Sequence, residues 1–448
     1  MLGIRSLFGF VSALVALHVT LAKSSTGDSV LVFLQPSVKK EDYSIFFGNL
    51  ESQGYELTFR APKEESPKLI EDDIPNFSHV LYFAPDTKSF GPDVTPQSLV
   101  QALESNTNII FALSPKQSLA YSLASEFSLI LPPPGTPLVS HFPERDAPAT
   151  VIPITVPSNP ILSPSIEGKK VWFSGISHAL GNNPLLVPVL NAPAESFAAD
   201  STEDASGGVV VDAAEKGGEG LWAGSMMGVV SGFQTRDSAR VMWVGGIELF
   251  SDEFAKKEIT KGEKSANEQF ALDIASWTFQ ENKVLRIDKT AHHMVNETEP
   301  RPHYTINDQI VFDAYISRWN SKTSSWEPYS GLADLQLDFT MLDPHVRTLL
   351  PPSTDGIPGK YSVQFRAPDR HGVFKFLIEY KRKGWTFLSS ATTVPVIPPR
   401  HDGYPRFLSA AWPYYAGAIS TSAAFLVFSA LWLAGEDRGG KKGGKKIE

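Results

Sequence analysis

Two kinds of apolar pattern divide the chain. Between residues 28 and 131, continuous apolar runs (Ser29-Val-Leu-Val-Phe-Leu34, Val80-Leu-Tyr-Phe83, Asn108-Ile-Ile-Phe-Ala-Leu113) alternate with stretches of helical spacing. A run without polar interruption suits a strand buried on both faces. Asp42 to Gln53 places Ile45, Phe46, Asn49 and Leu50 on one helical face, with Gly54 where a C-cap belongs. A strand over Tyr55 to Arg60 follows. Thr95-Pro96 reads as N-cap and N1 of the next helix, and Ser114-Pro-Lys-Gln117 as the capping box of a helix ending near Phe127. This βαβα order predicts a mostly parallel sheet with helices on its faces.

A second α/β section, 170–280, contains Val171-Trp-Phe173, Arg240-Val-Met-Trp-Val244 and a helix over Ala266 to Phe279 striped by Phe270, Ile274 and Trp277. The proline-rich stretch Leu131 to Pro164 joins the two sections as a connector or as edge strands. Ser201 to Gly220, rich in Gly, Ala and acidic residues, reads as a surface insertion. After Lys283 the period becomes two. Ile310, Phe312, Ala314 and Ile316 alternate with polar neighbours, as do Leu335, Leu337, Phe339 and Met341, and then Phe374, Phe376, Ile378 and Tyr380. Such alternation predicts an antiparallel β-sandwich over 283–400.

The last apolar segment differs from both. Tyr414 to Ala434 holds 21 residues without a charge, close to the ~20 that cross a hydrocarbon core. Trp412, Tyr414 and Tyr415 at one end and Trp432 at the other suit the two interfaces. Residues 401–413 are then juxtamembrane and 435–448 a tail. Arg438, Lys441, Lys442, Lys445 and Lys446 follow the span, so the tail is expected on the cytosolic side. At the other terminus Arg5, the apolar Leu7 to Leu21 and Thr20-Leu21-Ala22 form a secretory signal over 1–22. Both signals predict a type I protein with 23–282 (α/β) and the sandwich in the lumen. Lys445 and Lys446, at the −4 and −3 positions, have the K-K-x-x form of a retrieval address to the endoplasmic reticulum.

Composition narrows the function. An apolar share of 42 % with 20 % charged residues is that of a globular protein, and a net charge of −9 argues against nucleic acid. Zero cysteines exclude thiol chemistry and Cys-ligated zinc. In a lumenal chain two sequons become usable, at Asn76 and Asn296. No hydrolase elbow, metalloprotease, P-loop or deaminase motif is present. His178, within Gly175-Ile-Ser-His-Ala-Leu-Gly-Asn-Asn-Pro184, could be the general base of an independent lumenal carbohydrate-active enzyme, but its turn-rich setting favours a plain loop histidine. His292-His293 would point apart in a strand and make a poor metal pair. Glu71-Asp72-Asp73 reads as a solvated loop. Glycines at 220, 224, 228, 245 and 246 lie near strand ends, where backbone can approach a phosphate or sugar.

Several stretches together carry a resemblance: Ser44 to Phe59, Ser177-His-Ala-Leu-Gly-Asn-Asn-Pro-Leu185, Leu221-Trp-Ala-Gly-Ser225, Phe250-Ser-Asp252, Pro368 to Phe376 and Arg406-Phe407. In the same order, with the same signal and single C-terminal span, they resemble the family of 48 kDa subunits of the endoplasmic-reticulum oligosaccharyltransferase. The resemblance implies a subunit of the complex that moves an oligosaccharide from dolichyl diphosphate to Asn in Asn-x-Ser/Thr. It implies no catalytic residue and no cofactor or metal of its own, since chemistry and metal belong to a polytopic catalytic subunit. Implied partners are that subunit, a ribophorin II-type subunit, a small defender-against-death-type membrane subunit and the endoplasmic-reticulum membrane. The implied role is assembly and stability, with donor-glycan positioning by the α/β part, for which His178, Asn182 and Asn183 form the candidate contact loop. The 201–220 insertion departs from the family pattern.

Overall fold

In the computed structural model the described residues are 23–199, 222–260, 262–403 and 411–435. The expected signal segment 1–22, the expected insertion 201–220 and the tail with Lys445 and Lys446 lie outside them.

The two α/β sections build one sheet. Its strands are β1 (Ser29–Leu34), β2 (Glu56–Arg60), β3 (His79–Phe83), β4 (Asn108–Ala112), β5 (Leu186–Asn191), β6 (Gly228–Gln234) and β7 (Arg240–Val244). Their order is β5-β6-β7-β4-β3-β1-β2. From β2 to β7 neighbours run parallel, while β6 lies antiparallel between β7 and β5. The sheet is therefore mixed, and β7 of the second section pairs with β4 of the first. Alternate residues of each buried strand face opposite layers. Val30, Val32, Leu81, Phe83, Met242 and Val244 pack with α1 (Ser44–Ser52) and α5 (Asn267–Thr278). Leu31, Phe33, Val80, Tyr82, Val241 and Trp243 pack with α2 (Pro96–Glu104) and α3 (Leu119–Glu126). A one-turn α4 (Asp252–Lys256) precedes α5.

Helix starts follow the caps. Thr95 accepts the Ser98 amide and the Ser98 hydroxyl accepts the Thr95 amide, closing a capping box ahead of α2. For α3 the expected cap is displaced. Ser118, not Ser114, caps it; the Ser114 hydroxyl donates at 2.5 Å to the Asp86 carboxylate, a charge-assisted bond, and accepts the Lys116 amide in the turn before the helix. Lys170–Phe173 also departs from expectation, pairing antiparallel with Ile152–Thr155 in a ribbon separate from the main sheet. Part of the proline-rich connector is thus a strand.

The second region contains β8 (Leu285–Met294), β9 (Gln309–Asn320), β10 (Ser325–Pro328), β11 (Gln336–Thr340), β12 (Pro344–Leu349), β13 (Lys360–Arg366), β14 (Gly372–Tyr380) and β15 (Leu388–Ile397). One sheet joins β8, β10 and β13 to β9, and the other runs β15-β14-β11-β12, with Tyr304–Thr305 beside β15 as its one parallel pairing. The predicted alternation lands inward. Phe312 of β9 meets Phe376 of β14 at 5.1 Å, and Phe339 of β11 stacks on Phe374 at 4.7 Å, all in one core.

Beyond it, α6 (Trp412–Ala434) is an apolar helix of 23 residues with no buried side chain, long and apolar enough to cross a membrane.

Candidate functional site

The residues with most unspent chemistry gather where the two regions meet. The turn between β14 and β15, Lys381-Arg-Lys-Gly-Trp-Thr-Phe387, wedges against the mixed sheet. The indole Nε1 of Trp277 on α5 donates to Gly384 O at 2.9 Å, and Gln234 Nε2 at the end of β6 donates to Trp385 O at 3.0 Å. The Thr386 amide donates to Lys283 O at 3.1 Å. These bonds fix the turn's backbone and leave Lys381, Arg382 and Lys383 in solvent.

Arg240 lies beneath the wedge, fully buried. Its guanidinium donates to the carbonyls of Trp277, Asn282 and Lys283 and to Gln234 Oε1, at 2.7 to 3.2 Å, and lies 4.7 Å from the Trp277 ring centroid. Burial pushes its pKa down to about 9, so it remains a cation at neutral pH with only neutral oxygens as partners. Helix α5 ends at Thr278, and these carbonyls are at and just after that end, where the helix dipole is negative. Arg240 therefore clamps the segment joining the two regions.

Two open clefts flank the turn. One of about 500 Å³ is lined by Asp273, Lys283, Arg318, Lys322, Tyr329 and Trp385 among others. Its aromatic faces are occupied by its own cations, Arg318 over Tyr329 at 4.8 Å and Lys283 over Trp385 at 5.4 Å. Asp273 is turned inward, accepting from Ser163 and Gln269. The other cleft, about 520 Å³, has Leu185, Val187 and Phe387 with a rim including Asn183, Arg236 and Lys383.

The candidate contact loop is divided by this geometry. Asn183 lines the second cleft, its Oδ1 accepting the Leu185 amide at 3.0 Å, and Asn182 is exposed. His178 is not a loop histidine. It is fully buried, held by paired backbone bonds to Gly228, with Nε2 2.7 Å from Ser231 Oγ and Nδ1 without a partner. Burial lowers its pKa to about 4, so it is a neutral interior group that no dissolved substrate reaches. Asn182 and His178 are four residues apart, yet one faces water and the other the core.

The glycine-rich strand ends are used by the chain itself. A Cβ at Gly245 or Gly246 would collide with the carbonyls of Ile176 and Ser174, and one at Gly175 with Gly245 O. Segment 174–176 thus crosses β7's end where a ligand's phosphate would otherwise approach, which removes the sugar or phosphate reading of these two glycines. Gly224 and Gly228 lie among the described residues, and Gly228 faces His178. Gly220 lies outside them.

The remaining candidates are separate. His292 stacks on Phe376 at 4.9 Å and bonds Tyr304 Oη at 2.8 Å, whereas His293 lies 3.7 Å from Asp313. Glu71-Asp-Asp73 spans the tip of a tight hairpin, with Asp72 and Asp73 at positive φ, 49° and 65°. Asn76 is exposed, and its amide donates to Lys68 O at 3.1 Å. Asn296 is exposed at a turn after β8 with φ 75°. Arg240 and the fully buried Arg60, which grips Asp93, were not singled out from sequence. The available signal was a lone arginine, at the start of an apolar run for Arg240 and at the end of a short strand for Arg60.

Family models and relatives match nearly the whole chain. Residues 21–281 match the OST48 N-terminal domain and residues 292–436 the OST48 middle domain. The dolichyl-diphosphooligosaccharide–protein glycosyltransferase 48 kDa subunit of Arabidopsis thaliana is 32 % identical over 423 residues, covering 91 % of this chain and 93 % of the relative. The subunit so named in Danio rerio is 30 % identical over 438 residues, covering 94 % of each, and that of Caenorhabditis elegans 30 % over 430, covering 92 % and 93 %. With both domains matched in order and relatives aligned almost end to end, the chain belongs to the family of the 48 kDa subunit of dolichyl-diphosphooligosaccharide–protein glycosyltransferase.

Proposed function

We propose that this chain is a non-catalytic subunit of an oligosaccharyltransferase, serving the transfer of a preassembled oligosaccharide from dolichyl diphosphate to Asn of Asn-x-Ser/Thr. The observation that carries the proposal is the end-to-end match to relatives bearing that name. The burial of His178 removes the main support for an independent carbohydrate-active enzyme. A lipid-linked diphosphate needs a cavity at the membrane, which one apolar helix does not enclose, so the chemistry is assigned to a polytopic partner that holds the metal. The ribophorin II-type and defender-against-death-type subunits are further proposed partners.

In this reading α6 spans the endoplasmic-reticulum membrane. The signal 1–22 is cleaved, 23–403 is lumenal and the tail is cytosolic, where Lys445 and Lys446 are read by the retrieval machinery. The facing sheets of the second region form a β-sandwich spacer between the membrane and the mixed-sheet region. Asn183 and Asn182, beside the second cleft, remain the residues proposed to meet the donor glycan. Depleting the chain from cells should lower site occupancy on an Asn-x-Ser/Thr reporter, and re-expression should restore it. Unchanged occupancy on full depletion would contradict the proposal.

A further inference from the structure

The two ends of the second region are chemically unlike. One end carries the Lys381–Phe387 turn, which is bonded to the mixed-sheet region. The other end is where β14 begins and β15 stops, since Gly372 pairs with Val396. The turn joining β11 to β12 lies at that same end, because Thr340 pairs with Lys375 and Met341 Sδ packs against Gly372. Leu342, at the tip of that turn, is 92 % exposed, and Val373 beside it 58 %. Ile397, the last residue of β15, is also exposed. A single exposed leucine is ordinary on a soluble surface. Three apolar side chains projecting from adjacent strand ends of one tip are a patch in want of an occupant.

The direction of the chain identifies that occupant. β15 leaves the tip at Ile397, and after residues 398–411 the chain enters α6 at Trp412. No part of the second region is tethered to the helix by a shorter path. The adjoining charges are mixed, Arg370, Lys375 and Arg400 against Asp343, Asp369 and Asp402, all exposed. A contact made here is therefore driven by apolar insertion rather than by attraction to anionic lipid.

We propose that the Leu342–Val373 tip is a membrane-docking surface, seated in the interfacial layer of the bilayer that α6 crosses. This rests on the reading of α6 as a span. Seating the tip gives the spacer a second point of attachment besides its tether. One attachment leaves a domain free to tilt, whereas two hold the mixed-sheet region at a set height and orientation.

The chain has no cysteine, so single cysteines report single places. Full-length protein with Leu342→Cys, Val373→Cys, Lys383→Cys or Leu426→Cys, each carrying an environment-sensitive fluorophore, is reconstituted into phosphatidylcholine vesicles. Headgroup-spin-labelled and chain-spin-labelled lipid serve as quenchers. The expected result is roughly twofold quenching of the Leu342 and Val373 labels by headgroup quencher, unchanged at high salt, with Lys383 unquenched and Leu426 quenched by chain quencher. If Leu426 is quenched while Leu342 and Val373 are not, the tip proposal fails and the span stands. If Leu426 is not quenched either, the span reading fails. A Leu342 label shielded from both aqueous iodide and lipid quencher would place a second protein copy on the tip, which also overturns the proposal.

Discussion

The mixed-sheet region and the second region solve the same burial problem in opposite ways. In the first, strands such as β3, β4 and β7 are buried on both faces, so polarity is confined to strand ends, where it is itself buried and must be satisfied by the fold. Arg60 holds Asp93 there, Arg240 holds three carbonyls, and His79 is held by two neighbours. In the second, alternation sends most polar groups outward, the buried Asp313 beside Lys360 and His293 being the exception, and ion pairs such as Arg347–Asp338 reach solvent. A buried pair broken on one side leaves an uncompensated charge, whereas an exposed one is replaced by solvent. Electrostatic substitutions should therefore act strongly at the buried groups of the mixed sheet and weakly at the solvent-facing pairs of the second region.

The largest test of this contrast is at the wedge. Trp277→Ala removes a fully buried indole, its bond to Gly384 and the ring beside Arg240, and should cost about 4 kcal/mol in chemical denaturation. A loss confined to the mixed-sheet transition, with the second region unaffected, would show that the turn does not couple the regions. Next, Asp93→Ala should cost roughly 3 kcal/mol by leaving the buried Arg60 cation with only the carbonyls of Glu64 and Pro67, while Asp338→Ala should leave the unfolding midpoint where it was. Equal effects from both would remove the contrast.

Acid sharpens it further. His79 is fully buried as the neutral tautomer, Nε2–H donating to Gly27 O while Nδ1 accepts from Asn108 Nδ2, and burial lowers its pKa to about 3. His178 is lowered by burial to about 4. Between those values and the ordinary 6.5 the unfolded chain binds more protons than the folded one, so stability falls as pH falls. Each histidine should remove roughly 1 kcal/mol per pH unit in that window. His79→Gln should flatten the slope, and an unchanged slope would exclude it as the cause. The smallest effect is on the surface. Asn296, at an exposed turn, should be glycosylated more fully than Asn76, whose amide is already bonded to Lys68 O. On a gel after glycosidase treatment, Asn296→Gln should abolish most of the mobility shift and Asn76→Gln little of it.

What could be read from the chain follows the same division. Period two sees only neighbours along one strand, and in the second region that suffices, because Ile310, Phe312, Phe374 and Phe376 face one core wherever their strands pair. In the mixed sheet an unbroken run such as Arg240-Val-Met-Trp-Val244 reveals burial but not its neighbours, so its pairing with β4, 132 residues earlier, is not legible. Ser114-Pro-Lys-Gln117 has the form of a cap, yet the Ser114 hydroxyl serves the turn and the sequence-distant Asp86, and Ser118 caps α3. The glycines at 245 and 246 look alike whether ligand or chain crosses them, and only the path of 174–176 decides. The turn-rich flanks of His178 suggest a surface, whereas its pairing with Gly228 carries it inside.

Co-purification separates the proposed non-catalytic subunit of a working oligosaccharyltransferase from an independent protein. Tagged full-length chain, solubilised in mild detergent from membranes, should bring down polytopic and small membrane subunits together with activity that glycosylates an Asn-x-Thr peptide from a dolichyl-diphosphate donor. The chain stripped of those subunits should have none. Recovery of the chain alone, or glycosylating activity retained by the isolated chain, would contradict the account.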